Sequence, residues 1–227
     1  MFWIRLIGLI LLVANAMFFV QELRAIFKPE RYNKKFVRPV MAMELVRCAD
    51  DVERVFTDIQ RHLPQSKPGE FLRDELKKDS SYIIPTYWLF LVFVSFLLFR
   101  HQFPQARWLG IAAAICATAA AAFDYLENHR TKLALDDHQL AASVRQASLC
   151  KWGLIFVAVG LLASMFLWRR DWVMAIGALY LLAALTGLAG LWQDRLIEWS
   201  FVPLLAGGAG VGALLLFAPQ RFTAGFS

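Results

Sequence analysis

The hydrophobic positions of this chain form long continuous runs, not the alternation that is typical of a half-buried strand. A helix needs roughly 17 to 25 apolar residues to cross the hydrocarbon core of a bilayer. Because unpaired backbone groups are costly in lipid, continuous runs of this length favour helices over a barrel. The pattern predicts an all-α, polytopic transmembrane helical bundle of about six spans, at residues 2–20, 82–99, 108–126, 152–168, 172–192 and 197–217.

The polar residues between these runs divide the chain into four predicted parts. The first is a single span, the second a polar helical segment, the third a five-span bundle and the fourth a short tail. Their bounds are 1–20, 21–81, 82–217 and 218–227.

The first span has an alternative interpretation as a signal peptide. An apolar core precedes small residues at Ala14 and Ala16, which is typical of a cleavage site. Apolar residues then continue through Val20, so that the run is long enough to cross the membrane. This continuation favours a retained span over a cleaved one.

Basic residues concentrate in the polar segment just after the first span. Loops that flank a span and carry an excess of lysine and arginine remain in the cytoplasm. The expected orientation therefore places the N-terminus outside and residues 21–81 in the cytoplasm. The basic residues are Arg24, Lys28, Arg31, Lys34, Lys35 and Arg38.

The polar segment also contains an amphipathic pattern. Asp50 and Glu53 resemble an N-cap pair, and they precede apolar residues at helical spacing. The PQSKPG sequence ends this helix, and residues 70–78 are predicted as a second short helix. Residues 41–78 could dock a protein partner, or these helices could cover the ends of the spans or lie in the membrane interface. The apolar positions are Val52, Val55, Phe56, Ile59 and Leu63.

The amino-acid composition is that of a membrane protein and does not favour a nucleic-acid-binding, disulfide-rich or zinc-binding protein. The chain is 59% hydrophobic and 19% charged, with a mean hydropathy of +0.49. The net charge is +6, and positive charge is concentrated just after the first span, where residues 21–38 contain six basic and two acidic residues. Orientation and anionic lipid explain this cluster better than nucleic acid does. The three cysteines have no CxxC spacing, so we expect neither a disulfide framework nor a zinc site.

Small residues indicate where the helices would pack closely. The third span is rich in alanine, and the sixth contains a GxxxG pair at Gly208 and Gly212. Small residues let the backbones of membrane helices approach one another. We expect the third and sixth spans to form the packed centre, while a homodimer through Gly208 and Gly212 is the alternative.

A group of polar residues follows the alanine-rich span and is the candidate functional site. Asp124, Glu127 and Asn128 lie at i, i+3 and i+4, so a helix places them on one face. Two adjacent carboxylates need a cation, a proton or a metal ion to offset their repulsion. Candidate partners and further binding residues on the same side of the membrane are Arg130, Lys151 and Glu198.

Three interpretations of this group remain open. It could cap the helix end and pair with Arg130, Lys151 or Arg195, locking the bundle. It could be a lipid head-group site, with or without a divalent cation, that supports lipid chemistry at Asp124 and Glu127. It could also be part of an ion-coupled transport path.

No motif for a catalytic nucleophile, a nucleotide or a cofactor is present in the sequence. No catalytic residue and no cofactor are predicted, and the identity of any metal is left open. The predicted function is a non-enzymatic scaffold or accessory protein that binds lipid or a protein partner. The alternative is a lipid-modifying enzyme or an ion-coupled transporter that uses Asp124 and Glu127.

Four stretches, MELVRCADDVERVF, IIPTYW, FDYLEN and CKWGL, lie in this order between Met43 and Leu154. In this combination the chain resembles a loose group of uncharacterised small bacterial multi-span membrane proteins. Their shared feature is an Asp-x-x-Glu-Asn motif at a span end, here Asp124, Glu127 and Asn128. The resemblance implies no activity. It implies that these three residues act together, and the expected location is a bacterial inner membrane.

Overall fold

The structure is a computed structural model that describes residues 2–27, 31–101, 104–168 and 171–220. The predicted role of Lys28 and most of the predicted tail lie outside these ranges. The described residues are helical almost throughout, and the predicted all-α class is confirmed. The α-helices are α1 (Phe2–Ile26), α2 (Pro39–Glu44), α3 (Ala49–His62), α4 (Pro68–Lys78), α5 (Ile84–His101), α6 (Pro104–Asp136), α7 (Ala141–Leu167), α8 (Met174–Gly190) and α9 (Arg195–Phe217).

Five stretches of helix are long and apolar enough to cross a membrane, as an integral membrane protein requires. The fifth predicted span corresponds to α8, a shorter apolar helix of 17 residues. At 1.5 Å per residue α8 is about 25 Å long, near the lower limit for a span. The five stretches are Phe2–Arg24, Pro68–Leu97, Arg107–Asp136, His138–Leu167 and Arg195–Phe217.

The apolar helices pack side by side in the order α1, α9, α8, α7, α6, α5. The expectation that the third and sixth spans form a shared centre was therefore wrong. The third span lies in α6, which packs between α5 and α7, whereas the sixth is α9, which packs between α8 and α1. Small residues do allow close approach in both helices, but each helix uses them against its own neighbours.

The GxxxG pair of α9 contacts α1. A Cβ atom at Gly212 would overlap the backbone of Leu12, and one at Gly208 would overlap the side chain of Asn15. Gly8 of α1 approaches the backbone of Leu216 equally closely. The two glycines of α9 therefore serve contacts within the chain, and a homodimer through them stays a prediction.

The polar segment forms a small helical layer against the ends of α6 and α7. Most of its apolar side chains are buried in a continuous core, so the amphipathic helix predicted here packs on protein. Leu63 does not belong to that face, because α3 ends at His62 and Leu63 is 37% exposed. The predicted N-cap at Asp50 was wrong, because α3 begins at Ala49 with Cys48 as its N-cap, and Asp50 lies in its first turn. The fully buried side chains of this layer include Phe36, Met43, Val52, Val55, Ile59, Leu72 and Leu76.

A wide turn of π-helix joins α4 to α5 at Asp79–Ile83. The N–H of Ile84 donates to the carbonyl of Asp79, five residues earlier. Pro85 follows directly and has no N–H to donate, which disfavours the regular α-helical pattern at this point. This π-turn brings Asp79 and Ser80 next to α6.

Candidate functional site

The predicted polar group forms the centre of a buried ionic cluster around one lysine. The Nζ atom of Lys151 lies 2.9 Å from Glu44, 3.0 Å from Asp124 and 2.5 Å from Glu127. We call these four residues the Lys151 cluster. An ammonium group has three N–H donors, and here each carboxylate accepts one of them.

Three elements bring the cluster together. Asp124 and Glu127 lie one turn apart on α6, Lys151 comes from the first half of α7, and Glu44 ends α2. Asp124 and Glu127 both face Lys151, which is the partner among the candidate cations. Asn128, which was predicted to share this face, does not reach the lysine. The expectation that these residues cap a helix end was wrong, because α6 continues to Asp136.

Neighbouring side chains hold each carboxylate in place. The Tyr87 hydroxyl donates to Asp124 at 2.8 Å, and the indole N–H of Trp152 donates to Glu44 at 3.1 Å. The Thr131 hydroxyl donates to Glu127 at 3.0 Å. Buried polar groups are costly unless they are hydrogen-bonded, so these donors stabilise the arrangement.

The charges of the Lys151 cluster do not balance. Three carboxylates surround one ammonium group, which gives a formal charge of −2 if all are ionised. Burial raises the pKa of the Glu44 carboxyl, and this effect exceeds the opposing attraction of Lys151. An uncompensated buried charge is costly, so the excess of carboxylates also favours the protonated form of the Glu44 carboxyl.

Asn128, the third predicted member, faces the π-turn and not the lysine. Its Nδ2 atom donates to Asp79 at 2.7 Å and to Ser80 at 3.0 Å. Its Oδ1 atom is buried and has no hydrogen-bond partner among the described residues. Asn128 thus ties α6 to the start of α5 beside the Lys151 cluster.

A second ionic cluster has the opposite composition. The carboxylate of Asp194, between α8 and α9, lies 3.0 Å from Arg47, 2.9 Å from Arg145 and 3.6 Å from Lys35. We call these four residues the Asp194 cluster. Burial alone would raise the pKa of Asp194, but the hydrogen bonds from the two arginines outweigh burial and lower it.

The remaining predicted residues lie apart from the Lys151 cluster. The carboxylate of Glu198 accepts from the backbone N–H groups of Val37 at 3.0 Å and Arg38 at 3.3 Å. Arg130 donates to the carbonyl of Ser143 at 2.9 Å and so joins α6 to α7. The structure therefore brings Asp124, Glu127 and Lys151 together, but not Arg130 or Glu198.

Sequence reasoning missed Glu44 and Asp194. Glu44 lies 107 positions from Lys151 along the chain, so no local spacing connects them. A signal was present, however, because Glu44 is the only charged residue in the apolar stretch from Pro39 to Val46. A lone carboxylate in an apolar stretch needs a buried partner, and Lys151, close to the start of an apolar span, has the same need.

Within the described ranges, no group of three histidine, cysteine or acidic side chains is arranged to hold a metal ion. The carboxylates of the Lys151 cluster converge on an ammonium group instead. No protein-family model, curated protein or solved structure matches this chain. The function must therefore be argued from the site alone.

Proposed function

We propose that this protein is a non-enzymatic scaffold of a bacterial inner membrane. In this proposal the span bundle holds residues 31–78 of the polar segment in one fixed position on the cytoplasmic side, where a protein partner docks. The observation that carries the proposal is the Lys151 cluster, in which a single buried ammonium group joins the polar segment to two spans.

The polar segment is attached to the bundle at several points. Glu44 binds Lys151 of α7, Arg47 binds Asp194 at the start of α9, and the backbone of Val37 binds Glu198. In addition, Arg145 of α7 donates to the carbonyl of Leu45 at 3.0 Å. Attachment to α7 and α9 together opposes both rotation and translation of the segment, which supports a fixed platform.

The same contacts argue against a substrate site at Lys151. A catalytic or substrate-binding lysine needs an N–H or a lone pair that is available to the ligand. Here all three donors are used by carboxylates of the same chain, and Lys151 is 2% exposed. A ligand would have to displace a charge-assisted hydrogen bond, which is among the stronger polar contacts.

The character of α3 supports a protein partner over a lipid surface. The apolar face of α3 is buried, with Val52, Val55 and Ile59 fully inaccessible. Its outward face is charged and polar, with exposed residues that include Glu53, Arg54, Thr57, Gln60 and Arg61. An interfacial helix would instead present its apolar face to the membrane.

Ion-coupled transport is the second candidate, and the charge imbalance of the Lys151 cluster favours it. A buried site with more carboxylates than cations can take up and release protons. Asp124→Asn and Glu127→Gln separate the two candidates. The scaffold proposal predicts that both lower the yield of folded protein, whereas a transport or catalytic role predicts a lost activity at unchanged folded yield.

Photo-crosslinking in cells tests the docking platform. We expect a photoreactive residue at Arg61, on the exposed face of α3, to form one discrete protein adduct. The matched control is Leu185, which is 59% exposed on the apolar helix α8 and should capture lipid alone. Asp194→Asn releases Arg47 from the bundle and should weaken the Arg61 adduct.

The absence of a discrete adduct at Arg61, and equally at Arg54 and Glu53, would contradict the scaffold proposal. An adduct that survives Asp194→Asn at full intensity would contradict the requirement for a fixed segment. Folded yield, measured by size-exclusion chromatography of a fluorescent fusion, accompanies each variant so that a loss of protein is not counted as a loss of docking.

A further inference from the structure

A small cavity opens where the polar segment meets the start of α9. Its volume is about 50 Å³. One water needs roughly 10 to 15 Å³ by the same measure, so the cavity has room for about three to five water-sized atoms. A phosphate group, with five heavy atoms, is at the upper end of this range. The lining residues are Arg31, Lys35, Val37, Arg195, Glu198 and Trp199.

The cavity is strongly basic. Its lining has three cations and one carboxylate, a formal charge of +2. The carboxylate belongs to Glu198, and both of its oxygens already accept from the backbone N–H of Val37, at 3.0 and 3.1 Å. These hydrogen bonds partly offset the negative charge, which leaves a positive field for an anionic ligand.

Arg195 is the cation best placed to meet a ligand. It is exposed and forms no ion pair or hydrogen bond with another described side chain. It is also the first residue of α9, where the N–H groups of the first helical turn point outward. Guanidinium groups bind phosphate oxygens through two parallel hydrogen bonds.

Tryptophans indicate the depth of the cavity in the membrane. Trp199 lines it and is 53% exposed, while Trp192 on the preceding turn is 81% exposed. Tryptophan is enriched at the level of the lipid head groups. The cavity therefore lies at the depth where phospholipid phosphates are found, on the same side as the polar segment.

We propose that this cavity binds a phosphate group, supplied by an anionic phospholipid or by a soluble phosphate compound. Basic pockets between membrane helices on this side of a bilayer suit anionic head groups. The site shares Lys35 with the Asp194 cluster, and it shares the contact between Val37 and Glu198 with the attachment of the polar segment. Arg195 takes no part in those contacts, so a substitution there tests phosphate binding separately from docking at α3.

Native mass spectrometry of the full chain in detergent tests this site. The probes are phosphatidylglycerol, zwitterionic phosphatidylcholine and inorganic phosphate. We expect one phosphatidylglycerol per chain, with phosphatidylcholine binding more weakly. Arg195→Gln should weaken phosphatidylglycerol binding roughly tenfold or more, because charge-assisted hydrogen bonds are lost. Arg195→Lys keeps the charge, and its affinity for phosphatidylglycerol should lie between those of the wild type and Arg195→Gln.

Arg54→Gln is the matched control, because it removes the same charge from an exposed position on α3 outside the cavity. If inorganic phosphate displaces the lipid from the wild type, the natural ligand is a soluble phosphate compound. If it does not, the ligand is a lipid head group. Equal binding by the Arg195→Gln and Arg54→Gln variants, or equal binding of both lipids, would overturn the proposal.

Discussion

The two ionic clusters of this protein are opposites in composition and similar in position. The Lys151 cluster surrounds one cation with three carboxylates, whereas the Asp194 cluster surrounds one carboxylate with three cations. Both join the polar segment to the bundle. The first is closed to solvent, but in the second the side chains of Arg47 and Lys35 are 55% and 46% exposed.

This difference decides how much each cluster contributes to stability. Buried charges that lose their partner have no access to water, so removing one member is costly. Partly exposed cations that lose their partner are hydrated instead, and the cost is smaller. We therefore expect the two central residues, Lys151 and Asp194, to differ in the penalty for neutral replacement.

Lys151→Met should have the largest effect, because it leaves three buried carboxylates without a cation. We expect a loss of about 3 to 5 kcal/mol in the free energy of unfolding. The apparent Tm in detergent should fall by roughly 10 °C. Lys67→Met, which removes an equally long cation from an exposed pair with Glu70, is the control and should change little.

Asp194→Asn should destabilise the protein less, by about 1 to 2 kcal/mol, since Arg47 and Lys35 can turn to water. Arg145 is 17% exposed at its side chain and accounts for most of this cost. The same thermal assay measures both central substitutions. A penalty for Asp194→Asn as large as that for Lys151→Met would contradict the distinction between a closed and an open cluster.

Glu44→Gln should have the smallest effect on stability. It tests whether the Glu44 and Asp194 carboxyls change the stability in opposite directions as the pH changes. The pKa of Glu44 is raised in the folded state, so this carboxyl stabilises the fold below its unfolded pKa near 4.5. Its contribution is lost as the pH rises through the folded pKa. The apparent Tm of the wild type should therefore fall as the pH rises above about 4.5, and Glu44→Gln should reduce that fall.

Asp194 has the opposite sign and a different window. Its pKa is lowered, so its contribution is present above the unfolded value near 3.8 and is lost as the pH falls further. Asp194→Asn should therefore leave the fall in apparent Tm above pH 4.5 unchanged. An identical slope in Glu44→Gln and in the wild type would show that the Glu44 carboxyl does not titrate in this range.

The sequence predicted the parts of this fold that depend on local patterns. The apolar runs follow from the thickness of the bilayer, and the shared face of Asp124 and Glu127 follows from the period of a helix. Lys151 was among the candidate cations because it is near the start of a span. These inferences use spacing along one helix and need no knowledge of how helices pack.

The rest depended on contacts between distant parts of the chain. Glu44 reaches Lys151, and Asp194 reaches Arg47, only because the polar segment folds back on the bundle. The order of the helices was also missed, since small residues in α6 and α9 allow close packing without specifying the neighbour. Local patterns indicate that a buried charge or a helix rich in small residues needs a partner. Which residue or helix is that partner depends on the tertiary fold.

The packing of α1 on α9 has a consequence for how the chain assembles during synthesis. α1 leaves the ribosome before α5, α6, α7 and α8, whereas α9, the helix it packs against, is made after all of them. Until then α1 must remain in the bilayer as a lone helix. Its one central polar side chain is already hydrogen-bonded in the lone helix, because the Asn15 amide donates to the carbonyl of Leu11 within the same helix at 2.8 Å. α1 therefore gains this partner only after α9 has been made, and a chain that ends before α9 leaves α1 without it.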